Sequence, residues 1–307
     1  MKMINIKQLI IFIGLVLITF SGCANRNKIV TSSLDGCVHW EKGYNLAEEG
    51  KLEEAIKEYD LAIKYQPENP VNYYNKAIAL VGLNKWQEAI KEYDLAIKYQ
   101  PNNADAYNNK GIVLEKLGKW QDAIINYDLA IKYQPENPVN YYNKAIALVG
   151  LNKWQEAIKE YDLAIKYQPN NADAYNNKGI VLEKLGKWQD AIINYDLAIK
   201  YQPEIFMSHS NRARVLIHLG KWQEAIKECD LAIKYNPDNA KLNAILYCAK
   251  GSILLLSHKL PEAITEFDKA IKHDPNYASA YKLKDTALIE LDRQKARSKE
   301  TLTNQIF

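Results

Sequence analysis

Seven of the ten prolines stand in register: Pro67, Pro101, Pro135, Pro169, Pro203, Pro237 and Pro275, the first six each 34 residues apart. A fixed period of this size means that one supersecondary unit is written repeatedly. Each unit then buries its apolar face against its neighbours, so the chain builds a stack. At 307 residues it can hold one large domain or two ordinary ones.

The unit is clearest in residues 104–137, ADAYNNKGIVLEKLGKWQDAIINYDLAIKYQPEN, numbered here 1 to 34. Apolar or small residues fall at positions 4, 8 and 11, then at 17, 20, 24, 27 and 28. That is helical spacing in two segments, broken at Gly118. Pro at position 32 ends the second helix and Asn at position 34 caps the next. Pro70 and Pro138 then occupy a first helical turn, where a missing N–H costs nothing. Each unit is expected to be a helix–turn–helix hairpin.

Position 8 is small throughout: Gly43, Ala77, Gly111, Ala145, Gly179, Ala213 and Gly251. Position 20 is Ala55, Ala89, Ala123, Ala157, Ala191, Ala225 and Ala263, and position 27 is alanine in all seven units. Position 24 is Tyr59, Tyr93, Tyr127, Tyr161, Tyr195, Cys229 and Phe267. Helices crossing at ~8–10 Å need small residues at the contact and a large one beside it. On these residues the chain resembles the tetratricopeptide repeat (TPR) family. The resemblance implies an all-α, right-handed solenoid of seven repeats over 36–277, with a capping helix at 278–293 and a flexible tail at 294–307. Between Pro237 and Pro275 the spacing is 38, so Ala240–Asn243 is an insertion, either a longer turn or an extra helical turn. Trp86, Trp120, Trp154, Trp188 and Trp222 at position 17 are expected to fill the gap between helices rather than to stack on a ligand.

A longer period lies over the first. Residues 59–136 and 127–204 are identical over all 78 positions, offset by 68. A binding surface tolerates such copying because added repeats only lengthen it. One active site does not.

The chain opens with a separate message. Lys2 and Lys7 precede an apolar run from Leu9 to Phe20, which stops at Ser21-Gly22-Cys23. Residues 1–22 therefore read as a secretory signal peptide. The twelve apolar residues are too few to span ~30 Å of hydrocarbon as a helix. Phe20-Ser21-Gly22-Cys23 resembles the lipobox of bacterial lipoproteins, with Phe20 where leucine is usual; an ordinary signal with a chance cysteine is the alternative. The resemblance implies that Cys23 is lipidated and that 23–35 is a tether. By the same resemblance, Ala24 points to a lipid anchor in the outer membrane facing the periplasm, or to the cell surface. Cys37, Cys229 and Cys248 show no paired metal or redox spacing and are expected to be free or buried thiols.

Chemistry is sparse. The five histidines lack partners at metal-ligand spacing, and no phosphate loop or nucleophile elbow occurs. No cofactor, metal or catalytic activity is expected. The formal charge is only +3 and Lys alternates with Glu, leaving no clustered basic face for nucleic acid.

The first helix of each unit carries more information. With positions 4, 7, 8 and 11 in the core, positions 2, 6, 9 and 13 face the other way. By the TPR resemblance, this side lines the concave groove. Position 6 is Asn75, Asn109, Asn143, Asn177 and Asn211; position 9 is Ile78, Ile112, Ile146 and Ile180, then Arg214. Either the amides grip a peptide backbone and the isoleucines receive its side chains, or the amides brace the helices and the isoleucines are half-covered by the next repeat. The face alternates with the 68-residue period, apolar (Val71, Tyr74, Ile78, Val81, with Tyr142 in the second copy) then polar (Asp105, Asn108, Glu115, Lys116). Val71/Tyr74 or Asp105/Asn108 at positions 2 and 5 do not assemble the basic carboxylate clamp of chaperone-binding TPR modules. The expected function is a scaffold that binds a protein or peptide partner and is held at a membrane through its N-terminal lipid. A surface-exposed or released protein that binds host proteins, and a recognition subunit of an envelope enzyme, are the alternatives.

Overall fold

The computed structural model describes residues 30–306, with side chains over 34–298. The signal peptide, Cys23 and the first part of the tether lie outside the described residues. What is described is all-α: fifteen helices and no strand. None is long and apolar enough to cross a membrane. The helices are α1 (Val30–Glu48), α2 (Leu52–Tyr65), α3 (Pro70–Gly82), α4 (Trp86–Tyr99), α5 (Ala104–Lys116), α6 (Trp120–Tyr133), α7 (Pro138–Gly150), α8 (Trp154–Tyr167), α9 (Ala172–Lys184), α10 (Trp188–Tyr201), α11 (Phe206–His218), α12 (Trp222–Tyr235), α13 (Ala240–Leu256), α14 (Leu260–His273) and α15 (Ala278–Ile306). Two compact units divide them, α1–α7 and α8–α15.

Helix ends follow the residues that terminate them. Each first helix closes on a left-handed residue, such as Asn84 (φ 59°) or Gly118 (φ 72°). At Gly118 the turn is locked by Gly118 N–H to Glu115 C=O (2.9 Å) and Lys119 N–H to Leu114 C=O (2.9 Å), which satisfies carbonyls the helix leaves open. At the other end, Asn69 Oδ1 accepts from Val71 N–H (3.1 Å) and Asn103 Oδ1 accepts from Ala106 N–H (3.0 Å). These are the caps expected at position 34. Ile205 takes that place before α11 and provides no side-chain cap.

In the first unit, α1/α2, α3/α4 and α5/α6 pair as hairpins and α7 packs on α6. In the second, α8 packs on α9, then α9/α10, α11/α12 and α13/α14 pair and α15 covers α14. The position-20 and position-27 alanines and the position-24 tyrosines are buried as expected. Position 7, expected in the core, instead holds Lys76, Lys110, Lys144 and Lys178, each paired with an aspartate, and positions 3 and 10 (Ala106, Val113) are buried in its stead. Tyr127 occupies space a side chain at Gly111 would need, since an added Cβ would sit 2.6 Å from its ring. A Cβ added at Gly150 of the next first helix would lie 2.7 Å from the Trp120 ring, and Trp188 packs on His218 with tilted rings whose centroids are 4.0 Å apart. The position-17 tryptophans therefore fill gaps between helices.

Three expectations need correction. The helix α15 runs on through Ile306, where a patternless tail was expected from Gln294; this stretch has good helix formers and no Gly or Pro to stop it. At the other end α1 begins at Val30, inside the expected tether. Cys37 is disulfide-bonded, whereas Cys229 and Cys248 are buried free thiols. Burial pushes the Cys229 thiol up to about 12, which keeps it protonated and inert.

The insertion Ala240–Asn243 is an extra helical turn, making α13 17 residues long against 13 for α11. Leu242 on that turn packs against the cluster of Ala213, Cys229, Ala232 and Leu246. Cysteine at position 24 leaves room that tyrosine fills elsewhere, and the longer helix brings apolar atoms to it.

Candidate functional site

The candidate surface is the outer face of the first helices: α3, α5 and α7 in one unit, α9 and α11 in the other. Positions 5 and 6 of these helices are joined by hydrogen bonds from one repeat to the next. Asn109 Nδ2 donates to Tyr74 Oη (2.9 Å), Asn143 Nδ2 to Asn108 Oδ1 (2.9 Å), and Asn211 Nδ2 to Asn176 Oδ1 (3.1 Å). Ser208 Oγ also donates to Asn176 Oδ1 (3.1 Å). Of the two roles the sequence left open, the bracing one is realised at these three asparagines, and Asn109 and Asn211 are buried. The position-5 counterpart of Asn75 is Trp40, whose indole offers no acceptor.

Tyr74 belongs to the same brace. Its ring meets Tyr93 edge-on at 6.0 Å and packs on the first unit's core; burial raises its hydroxyl well above the ordinary range. Tyr142, Asn143 and Ile146 share α7, and Asn177 and Ile180 share α9. All four isoleucines are half-buried. Ile180 packs against the cluster that contains Val215 of the following repeat, so it is partly covered as one of the two readings held.

Acidic groups on this face differ between the copies. Glu115 accepts from Tyr127 Oη (3.2 Å) and burial raises its carboxyl above the usual range. Asp105 is raised by burial as well. Glu183 accepts the corresponding bond from Tyr195 (3.1 Å) and also binds Arg214, through Nε (2.7 Å) and Nη2 (2.8 Å).

A second ladder was missed in the sequence, where lysines near carboxylates read as a solvated helix face. Position 7 of each first helix reaches the position-25 aspartate of the preceding repeat: Lys76–Asp60 (2.7 Å), Lys110–Asp94 (2.6 Å), Lys144–Asp128 (2.8 Å), Lys178–Asp162 (2.5 Å), Arg212–Asp196 (2.6 Å) and Lys250–Asp230 (2.6 Å). The signal was a constant offset of 16 residues outside the insertion. Pairs with one exposed partner contribute ~0–1 kcal/mol singly, so they set register more than they hold the stack. Nearby, His209 replaces the position-4 tyrosine: Nε2 lies 2.9 Å from the Pro203 carbonyl and Nδ1 2.7 Å from Glu228. Burial alone would lower its pKa, but these two acceptors outweigh that and raise it.

Among the described residues, no three His, Cys, Asp or Glu converge as metal ligands. The surface offers half-buried isoleucines beside carboxylates.

Comparisons with known proteins agree with this architecture. Models described as tetratricopeptide repeat match residues 38–69, 104–137, 172–205 and 206–239, and a TPR repeat model matches 79–118 and 147–186. A TPR repeat-containing protein from Cytophaga hutchinsonii (its C-terminal part) superposes with a TM-score of 0.67 at 14% identity, covering 80% of this chain and 98% of that one. One from Parabacteroides merdae gives 0.59 at 20% identity, covering 83% and 99%. YrrB, described as a TPR protein with an unusual peptide-binding site, gives 0.50 at 21% identity, covering 66% and 97%. The matched segments together span more than half of the sequence, and the hairpins they cover are those the helices build: the chain belongs to the tetratricopeptide repeat family.

Proposed function

We propose that this chain is a non-enzymatic scaffold that holds a protein or peptide partner on the face of its first helices, outside the cytoplasm, anchored through a lipid on Cys23. The observation that carries the binding reading is the half-exposed isoleucine row at position 9, on a face turned from each repeat's own core. First helices ~10 Å apart match about three residues of extended peptide at ~3.3 Å each. The peptide-binding site named for YrrB, a protein of similar fold, supports the same class of partner.

A photo-crosslinking amino acid at Ile112, in cells, is expected to join the chain to a discrete partner. The same group at Ile125, which is 51% exposed on the second helix α6, is expected to join nothing. Equal adducts from both positions, or adducts from Ile125 alone, would put the partner on another surface.

The anchor has its own test. Mass spectrometry of the mature N-terminus should find acyl chains on Cys23, and Cys23→Ser should release the chain from membranes. Acyl chains contribute ~0.8 kcal/mol per buried methylene, so multiple acylation makes a stable anchor. An unacylated mature N-terminus would end this part of the reading.

A further inference from the structure

The 68-residue duplication supplies a controlled comparison inside one molecule. Glu115 and Glu183 sit at the same place in the identical segments 59–136 and 127–204. Their carboxylates are held in the same way, by Tyr127 Oη at 3.2 Å and by Tyr195 Oη at 3.1 Å. What differs is the next repeat. Thirty-one residues on, Glu183 meets Arg214, whereas the residue at that offset from Glu115 is Ile146.

In the second unit, then, the structure displays what this carboxylate takes. Arg214 donates from Nε to Oε1 (2.7 Å) and from Nη2 to Oε2 (2.8 Å), a two-point fork. The Glu183 side chain is 16% exposed and that of Arg214 is 55% exposed, so the guanidinium lies on the solvent side of the acid. An isoleucine at the same position has neither the length nor the charge to fill that place.

We infer that Glu115 receives an arginine guanidinium from the bound partner, in the place Arg214 fills for Glu183. The inference rests on the first-helix face being the binding surface, and it adds a chemical class: a peptide with an arginine that reaches α5. Fork-on-fork geometry favours arginine over lysine, because a planar guanidinium matches both carboxylate oxygens at once. Burial of the Glu115 carboxyl, which raises it above the ordinary range, is consistent with an acid that lacks its cation. Lys116, its neighbour in sequence, acts on it only through space. The second unit's copy is already occupied by the chain itself, so the two faces are predicted to differ despite their identical sequence.

The test uses N-acetyl-arginine amide as the probe and the carboxyl carbon resonances of isotope-labelled glutamates as the readout. In the wild-type chain the probe should shift the Glu115 resonance and leave Glu183 alone; N-acetyl-citrulline amide, the same shape without the charge, should bind about tenfold more weakly or not at all. Ile146→Arg should abolish the Glu115 response by filling the place from within, and Arg214→Ile should open a second response at Glu183. A Glu115 resonance silent to the arginine probe would overturn the inference. So would an equal response to citrulline, or a response indifferent to Ile146→Arg. The crosslinking experiment at Ile112 is independent of these outcomes: its failure with an intact probe response would sink the groove reading and leave the cation site standing.

Discussion

Tyr195→Ala is expected to destabilise the C-terminal unit by ~3–5 kcal/mol, the range for truncating a fully buried aromatic. The Tyr195 side chain is 0% exposed and occupies space that exists only because Gly179 has no Cβ, which would lie 2.6 Å from the ring. Backbone at Gly179 cannot collapse into the void without bending α9, so the cavity should persist. The hydroxyl matters less than the ring. Its partner Glu183 keeps both bonds from Arg214, and Phe267 fills the same position against Gly251 at the same 2.6 Å. Tyr195→Phe should therefore cost no more than ~1.5 kcal/mol. Because each repeat touches only its neighbours, hydrogen exchange should accelerate first in α9, α10 and α11. Denaturant melts of both variants check the ordering, and an alanine variant within ~1 kcal/mol of wild type would mean that the tyrosines do not carry the core.

How much of this was legible beforehand depends on the range over which a residue acts. Hairpins, caps and core followed from spacing alone, because Pro at position 32, Asn at position 34 and the small residues at 8, 20 and 27 act within one repeat or on its immediate neighbour. The exceptions lie where two solutions satisfy the same pattern. An asparagine on a polar helix face suits a ligand backbone or a neighbouring amide equally well. Only the position-5 side chains of the preceding helix, Tyr74, Asn108 and Asn176, decide it for Asn109, Asn143 and Asn211. The lysine–aspartate ladder was hidden because its two ends lie 16 residues apart on different helices, outside any spacing that one helix brings together. The run of α15 through Ile306 was missed for another reason: a helix without apolar periodicity looks like a tail. Ile78, Ile112 and Ile146, expected from periodicity on the face away from their own repeat's core, are half-buried.

Replacing Asn109, Asn143 and Asn211 together by alanine is expected to lower the melting temperature sharply. Each change removes a bond of 2.9–3.1 Å between adjacent first helices and strands an acceptor: Tyr74 Oη, Asn108 Oδ1 or Asn176 Oδ1. An orphaned buried polar group costs ~1–3 kcal/mol. Asn211 shares no partner with the other two, so its cost should add to theirs, whereas Asn108 accepts from Asn143 and donates to Asn109 Oδ1 (3.4 Å), so those two costs should couple. Asn176 illustrates why the loss need not be uniform, since Ser208 Oγ also donates to its Oδ1 and would leave that acceptor half-satisfied. Asn211→Ala should thus be the mildest of the three single variants and Asn143→Ala, whose acceptor Asn108 has no such second donor on the neighbouring repeat, more severe. Differential scanning of the singles and the triple reads this order directly. A triple variant that melts with the wild type, yet loses the crosslinked partner, would return the amides to the ligand and leave the stack to be held by its tyrosines and alanines.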